Sequence, residues 1–337
     1  MVADNDYNLF IICLLSVGIL FFSVSSSFWL LFALLIYIIA DVSYELSYIF
    51  YNTLLAKISP SSHIGRISGW GWGLGYFGGL LCLVVALFMI NSSTLPNQNE
   101  LHIRSTLLLV VFWYGIFSVP LFIWTEDIVG VNQNIISSIM MGLKQICSTL
   151  RNFKKYRNIF KYLFAHMLYT DGLNTIFAFG GIYAAGTFGM SFNQIILFAI
   201  TLNISSGVGA VAFARFDDLN YPKILILSSL LCIVVISVVL IIIKNIYFFW
   251  VLGFLLGFFI GPVHASSRSY MVKLSPPHKM SEMFGLYSLS GKMTAFIGPI
   301  LFALLTDMFS SQRAGFCSAI ILLLSGFIAL LFVKETV

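Results

Sequence analysis

Four ionisable side chains sit deep inside long apolar runs: Asp41, Glu45, Asp171 and Lys292. A charged residue at the centre of a bilayer costs roughly 2.5 to 3.5 kcal/mol on insertion scales. Four left unpaired would cost about 10 to 14 kcal/mol, comparable with the whole stability of a folded domain. They must therefore be paired, protonated or wetted, and a hydrated cavity that also passes a solute satisfies all of them. Asp41 and Glu45 are one helical turn apart and share a face, so the two carboxylates compete for one proton and form a proton-responsive pair. Asp171 is a cavity acid able to meet a substrate amine, with Lys292 as its counter-ion or as a contact for a substrate carboxylate. The competing reading is an ion-pair network, for instance Lys292 with Asp171, that only holds helices together. Asn174, Asn203, Ser205 and Ser206 add hydrogen bonds to a substrate or between helices, and spacing does not separate the two.

The elements that must carry these residues follow from composition. Of 337 residues 59% are hydrophobic and 9% charged, and mean hydropathy is +0.97, which a water-soluble domain has no means of hiding. Windows of about 20 apolar residues cross the hydrocarbon as helix. Ten such spans are expected, near 8–25, 28–57, 65–90, 104–125, 158–186, 191–214, 222–243, 246–271, 282–308 and 312–333. The runs are continuously apolar rather than alternating, which argues against a membrane barrel.

The chain also repeats itself. Lys57-Ile58-Ser59-Pro60 recurs as Lys273-Leu274-Ser275-Pro276, and Gly69 and Gly75 recur as Gly285 and Gly291 at the same offset of 216 residues. Both copies join neighbouring spans, so the period is six helices, and duplicated six-helix halves are a transporter architecture. The expected domains are an N-terminal bundle at 1–125 with four of six helices, a cytoplasmic linker at 126–157, and a six-helix C-terminal bundle at 158–337. A full pair would need twelve helices, so the chain reads as lacking the first two. This leaves a fragment, or one part of a split transporter with a separately encoded two-helix piece, as the alternative. In the linker Ile135, Ile136, Ile139, Met140, Leu143, Ile146 and Leu150 recur at helical spacing beside Lys144 and Arg151, as in a helix lying along the interface.

Placing the repeated Lys-Ser-Pro loops inside puts fourteen of eighteen Lys and Arg on the cytoplasmic side, with Arg104, Lys244 and Arg313 outside and Lys292 within a span. The net charge of +5 is thus a topology signature, and no nucleic-acid surface is read from it. Asp4 and Asp6 stand where a signal peptide would be basic. Cys13, Cys82, Cys147, Cys232 and Cys317 are scattered, and the histidines show no ligand spacing. Neither metal nor cofactor is expected. No nucleophile has a nearby base, so an enzyme is not expected. Gly73-Leu74-Gly75-Tyr76-Phe77-Gly78 spells a dinucleotide fingerprint, but no strand precedes it. Gly71, Gly75 and Gly79, four residues apart, instead read as a face for close helix packing.

Several segments resemble the vacuole-effluxer-like family of the major facilitator superfamily: Phe50-Tyr51-Asn52, His63 to Gly69, the Gly-rich run Trp70 to Gly79, Tyr169-Thr170-Asp171-Gly172, Ser267-Arg268-Ser269, and Glu282 to Lys292. The resemblance covers nearly the entire chain. It implies an all-α, polytopic, two-bundle fold of about ten membrane helices, working by alternating access. It also implies efflux of amino acids or another small polar metabolite, since fungal members are linked to amino-acid release from the vacuole. Ala214-Arg215-Phe216-Asp217-Asp218 looks like a degenerate copy of the superfamily's loop motif, so Arg66, Arg215, Asp217, Asp218, Arg268 and Glu282 are candidates for a cytoplasmic gate. The expected partners are the lipid bilayer and a small-molecule substrate. Short loops favour a bacterial inner membrane over a vacuolar one.

Overall fold

A computed structural model describes residues 2–23, 27–60, 62–92, 101–124, 135–219 and 221–334. Among the described residues twelve helices run α1 (Val2–Leu20), α2 (Ser27–Ile58), α3 (Ile64–Ser92), α4 (Leu101–Trp124), α5 (Ile135–Arg151), α6 (Arg157–Phe188), α7 (Phe192–Asp218), α8 (Pro222–Ile242), α9 (Ile246–Leu274), α10 (Met280–Lys292), α11 (Ile297–Phe309) and α12 (Gln312–Leu331), with a 3₁₀ turn at Pro277–Lys279 before α10. Among the described residues eight helical stretches are long and apolar enough to cross a membrane, against ten expected. The apolar part of α1 is the shorter stretch Asn8–Leu20. The helix α6 has the length, 32 residues, but carries a row of polar side chains.

Both copies of the repeated loop end a helix in the same way. After α2 the Ser59 N–H donates to Leu55 O, and after α9 the Ser275 N–H donates to Met271 O. The proline that follows each serine cannot continue the helix. The sequence differs from the structure at the ninth expected span, which is not one helix. Four residues, Met293 to Phe296, break it into α10 and α11. Pro299 explains the position, because its ring would strike the carbonyl four residues earlier, that of Ala295.

Residues 1–52 with 78–142 form one compact unit, and residues 53–77 with 143–337 form the second. In the first, the Phe10 ring of α1 packs tilted at 5.0 Å against both Tyr114 and Phe122 of α4, and Tyr44 of α2 meets Tyr114 edge-on at 5.9 Å. Helix α5 contains the apolar residues expected at helical spacing. Of its apolar set Met140 and Leu150 are exposed and Ile146 is half-buried. The side chains of Ile135, Ile136, Ile139 and Leu143, like those of Asp4 and Asp6 and all of 125–134, lie outside the described residues.

The second unit is built on close helix approach. A Cβ on Gly65 would lie 2.5 Å from Asp217 Cβ and one on Gly69 2.5 Å from Ala214 Cβ, while one on Gly73 would collide with Val211. The first turns of α3 thus lie directly on α7, and α7 lies equally close to α9 on its other side, where Gly209 faces the Phe258 carbonyl. Pro262 deprives that carbonyl of its helical partner, yet α9 stays continuous through it. The expected packing stripe needs correction here. A Cβ on Gly75 or Gly79 would meet nothing within 4 Å, because the tight contact uses the parallel four-residue series Gly65, Gly69, Gly73, which faces the small residues of α7. Helix α8 shows how such a helix sits in lipid. Ile226, Leu230, Ile233 and Leu240 are buried in protein, while Leu231, Val235, Val238 and Ile242 form an exposed apolar stripe.

Gly69→Ala is expected to destabilise the protein by about 1 to 3 kcal/mol through overpacking, whereas Gly79→Ala is neutral or stabilising by up to about 1 kcal/mol. Thermal unfolding of the two variants in one detergent tests the register. Equal losses would show that the packing face is wrongly assigned.

Candidate functional site

The polar row of α6 is positioned by α12. A Cβ on Gly172 would be 2.9 Å from Leu323 Cγ and 3.1 Å from the Ala319 carbonyl, and one on Gly326 would be 2.6 Å from the Tyr169 N. With α6 pressed on α12 through these two glycines, Tyr162, His166, Tyr169 and Asp171 are carried to α9, α10 and α11.

Asp171 is fully buried. Its Oδ2 accepts from the Gly298 N–H at 3.2 Å, the second residue of α11. The first N–H groups of any helix lack intrahelical acceptors, and here that end begins inside an apolar span. Ile297 N–H donates to Thr294 O at 2.8 Å, Pro299 has no N–H, and Ile300 N–H donates to Phe296 O at 3.2 Å. The carboxylate of Asp171 takes the donor that remains. Close fit requires glycine at 298, since a Cβ there would collide with Thr175 Oγ1 and lie 3.0 Å from Asp171 Oδ1. Thr175 is fixed in turn by its hydroxyl, which donates to the Asp171 carbonyl at 2.8 Å. Among the described residues Asp171 Oδ1 has no hydrogen-bond partner, nor do the buried hydroxyls of Thr170 and Thr294.

One turn before Asp171 a second network forms. Ser290 Oγ of α10 lies 2.8 Å from His166 Nδ1 and 2.7 Å from the Tyr287 carbonyl. A hydroxyl has one proton, so Ser290 serves either the Tyr287 carbonyl or His166 Nδ1, as the imidazole tautomer dictates. The imidazole is stacked on the Tyr287 ring at 4.0 Å. Tyr169 OH lies 2.7 Å from Ser267 Oγ, and Tyr162 OH donates to the Ser267 carbonyl at 2.7 Å. Nearby, His264 of α9 stacks on Trp72 of α3 at 4.9 Å.

The remaining candidates separate into groups. Asp41 is exposed and Glu45 half-buried on α2 in the first unit, and Lys292 is exposed at the last residue of α10, where the break begins. Arg66 and Asp218 are brought together: Arg66 Nε donates to Asp218 Oδ2 at 2.6 Å and the Arg66 backbone N–H to Oδ1 at 3.0 Å. That N–H belongs to the third residue of α3, so Asp218 caps α3 from a different helix. Arg66 is 44% exposed, so the ion pair itself is worth only about 0 to 1 kcal/mol. Asp217 accepts from Ser269 Oγ at 2.5 Å. Arg268 reaches Ser68, with Nε at 3.0 Å from the hydroxyl and Nη2 at 3.1 Å from the carbonyl. Glu282 accepts from Lys279 and from Gln145 of α5, each at 3.0 Å, and so ties α5 to the base of α10. Arg215 is exposed.

Residues 8–336 match the family described as vacuole effluxer Atg22 like. An uncharacterised MFS-type transporter of Bacillus subtilis, YxiO, is 24% identical over 93% of this chain and 73% of its own length. Autophagy-related protein 22-1 of Aspergillus fumigatus is 24% identical over 80% of this chain and 49% of its own, so the chain spans about half the length of that fungal relative. In fold it is similar to the major facilitator superfamily transporter FucP in an outward conformation, with a TM-score of 0.74 at 13% identity, covering 100% of this chain and 84% of that one.

Gly298→Ala is expected to cost about 1 to 3 kcal/mol. In a Thr175→Ala background the same change should cost less by about 1 kcal/mol, because the obstructing hydroxyl is gone. A double-mutant cycle on unfolding midpoints measures this, and strictly additive losses would show that 298 and 175 are not in contact.

Proposed function

The chain belongs to the vacuole effluxer Atg22-like family, and from that premise we propose that it is a secondary transporter exporting amino acids or another small polar metabolite by alternating access, coupled to protons. The observation that carries this reading is the interrupted helix at α10–α11, with a fully buried acid at the N-terminus of its second half. Transporters bind solute and coupling ions near the midplane at such breaks, where backbone dipoles and unpaired polar atoms are held without water.

Roles follow from exposure. Lys292, exposed beside the break, is the proposed contact for a substrate carboxylate. Asp41 and Glu45, one turn apart on α2, are the proposed proton-responsive pair. Asp171, with no exposed surface, is out of reach of a bulky amine in this conformation and works on the coupling ion instead. The Arg66–Asp218 pair, with Asp217 and Arg268 beside it, is the proposed cytoplasmic latch.

Proteoliposomes loaded with labelled amino acids and subjected to a pH step test the assignment. Efflux should follow the proton gradient, and Asp171→Asn combined with Lys292→Met should reduce it by about tenfold or more, the usual worth of a charged hydrogen bond. Undiminished efflux in the double variant would remove the site, and efflux of no amino acid from the wild type would remove the substrate class.

A further inference from the structure

We propose that Asp171 Oδ1 is a proton-binding site and that its occupancy sets how firmly α11 is held on α6. The two oxygens of this carboxylate have different surroundings. Oδ2 accepts from Gly298 N–H and can do so whether the group is a carboxylate or a neutral acid, whose carbonyl oxygen remains an acceptor. Among the described residues Oδ1 is buried without a partner, which is the position a proton would take without displacing an existing bond. The proton comes from hydronium in the aqueous phase: one O–H bond breaks in the donor, leaving water, and one forms on Oδ1. Among the described residues the buried hydroxyls of Thr170, the preceding residue, and of Thr294, four residues before Gly298, also lack partners. Thr170 faces α10, with its methyl 3.7 Å from a Cβ built on Gly291.

Gain of the proton alters the cap in a definite direction. The ionised form makes a charge-assisted bond to Gly298 N–H and is attracted by the positive end of the α11 dipole. The neutral acid keeps the bond but loses both contributions, so protonation loosens the start of α11. A metal cation is the weaker fit, because it would bring a full positive charge against that same helix end. The ionisable groups on the neighbouring elements leave Oδ1 in place as the site. On α6 the nearest are Tyr169, bonded to Ser267, and His166, bonded to Ser290. Helix α10 supplies Tyr287, stacked on His166, and Lys292 at its end. On α11 Asp307 is near the far end. Helix α12 faces Gly172 with Ala319 and Leu323, and its Arg313 binds the Ile241 and Ile243 carbonyls at the opposite end of the helix.

This deepens the transport reading but is tested without any solute, so that failure of one does not imply failure of the other. Hydrogen–deuterium exchange of peptides covering residues 293–300, in nanodiscs from about pH 4 to about pH 9 and corrected for intrinsic chemistry, should show protection in the wild type that falls by about tenfold on the acid side. Asp171→Asn, which keeps an acceptor for Gly298 but cannot ionise, should show the lower protection at every pH. Infrared difference spectra across the same range should contain a protonated-carboxyl band that is absent in Asp171→Asn, shifted in Asp171→Glu, and unaffected by sodium. A pH step that persists in Asp171→Asn, a band unchanged in both variants, or a band that appears only when sodium is withdrawn would each overturn the proposal. The last outcome would assign the site to sodium.

Discussion

A helix that starts inside hydrocarbon has to find acceptors for its first N–H groups without help from water, and this requirement organises the centre of the second unit. Each unsatisfied group would cost several kcal/mol. The sequence around the start of α11 reduces the demand to one donor. Pro299 removes an N–H, the Thr294 carbonyl folds back on Ile297, and Phe296 serves Ile300. Asp171 then supplies the missing acceptor from across the interface. The neighbouring features follow from that contact: glycine at 298 to admit Thr175, the Thr175 hydroxyl turned onto its own helix, and Gly172 and Gly326 to bring α6 against α12.

The same device appears at the start of α3, where Asp218 of α7 accepts from the backbone N–H of Arg66. The two settings differ in what else the carboxylate does. Asp218 spends its second oxygen on the Arg66 side chain, and Gly65 and Gly69 hold the helices in contact beneath it, so both oxygens are committed and the joint is a fastener. Asp171 has one oxygen bonded and one bare. A fully satisfied polar group rigidifies its surroundings, whereas a partly satisfied one leaves a state within reach that a proton can favour.

Much of the fold was legible in the sequence because hydrocarbon imposes one length and one composition on every span. The expected ends of most helices fall within a few residues of the observed ones, as for 222–243 against Pro222–Ile242. The break at Met293 was not legible. Its signal is Gly298-Pro299, but the chain also contains Gly261-Pro262 within the continuous α9. What distinguishes them is the partner, an acid on α6 in one case and the close backbone of Gly209 in the other, and spacing along one helix does not report what stands opposite. The same ambiguity holds for the glycine stripe, in which a Cβ on Gly75 or Gly79 would meet nothing within 4 Å. Helix α3 offers Gly65, Gly69, Gly73 and Gly71, Gly75, Gly79, and only the row of small residues on α7 selects the first. His166, one of the histidines without ligand spacing, bonds to Ser290 and stacks on Tyr287 at the α6–α10 contact.

The position of the break relative to the two networks bears on how motion could be transmitted. Helix α10 is held at its base by Glu282 with Lys279 and Gln145, and along its length by Ser290 with His166. Helix α11 is held at its start by Asp171. Between them Ala295 and Ile297 bond only three residues back, the tighter and poorer geometry of a 3₁₀ turn. Torsional change concentrates where hydrogen bonding is weakest and both flanks are pinned, so Met293 to Phe296 is the hinge that the proton site proposed above requires. A hinge of that kind needs a group that prefers one setting over the other by a modest free energy. A single carboxylate whose charge is optional, placed on the first free donor after the hinge, meets that need with one residue.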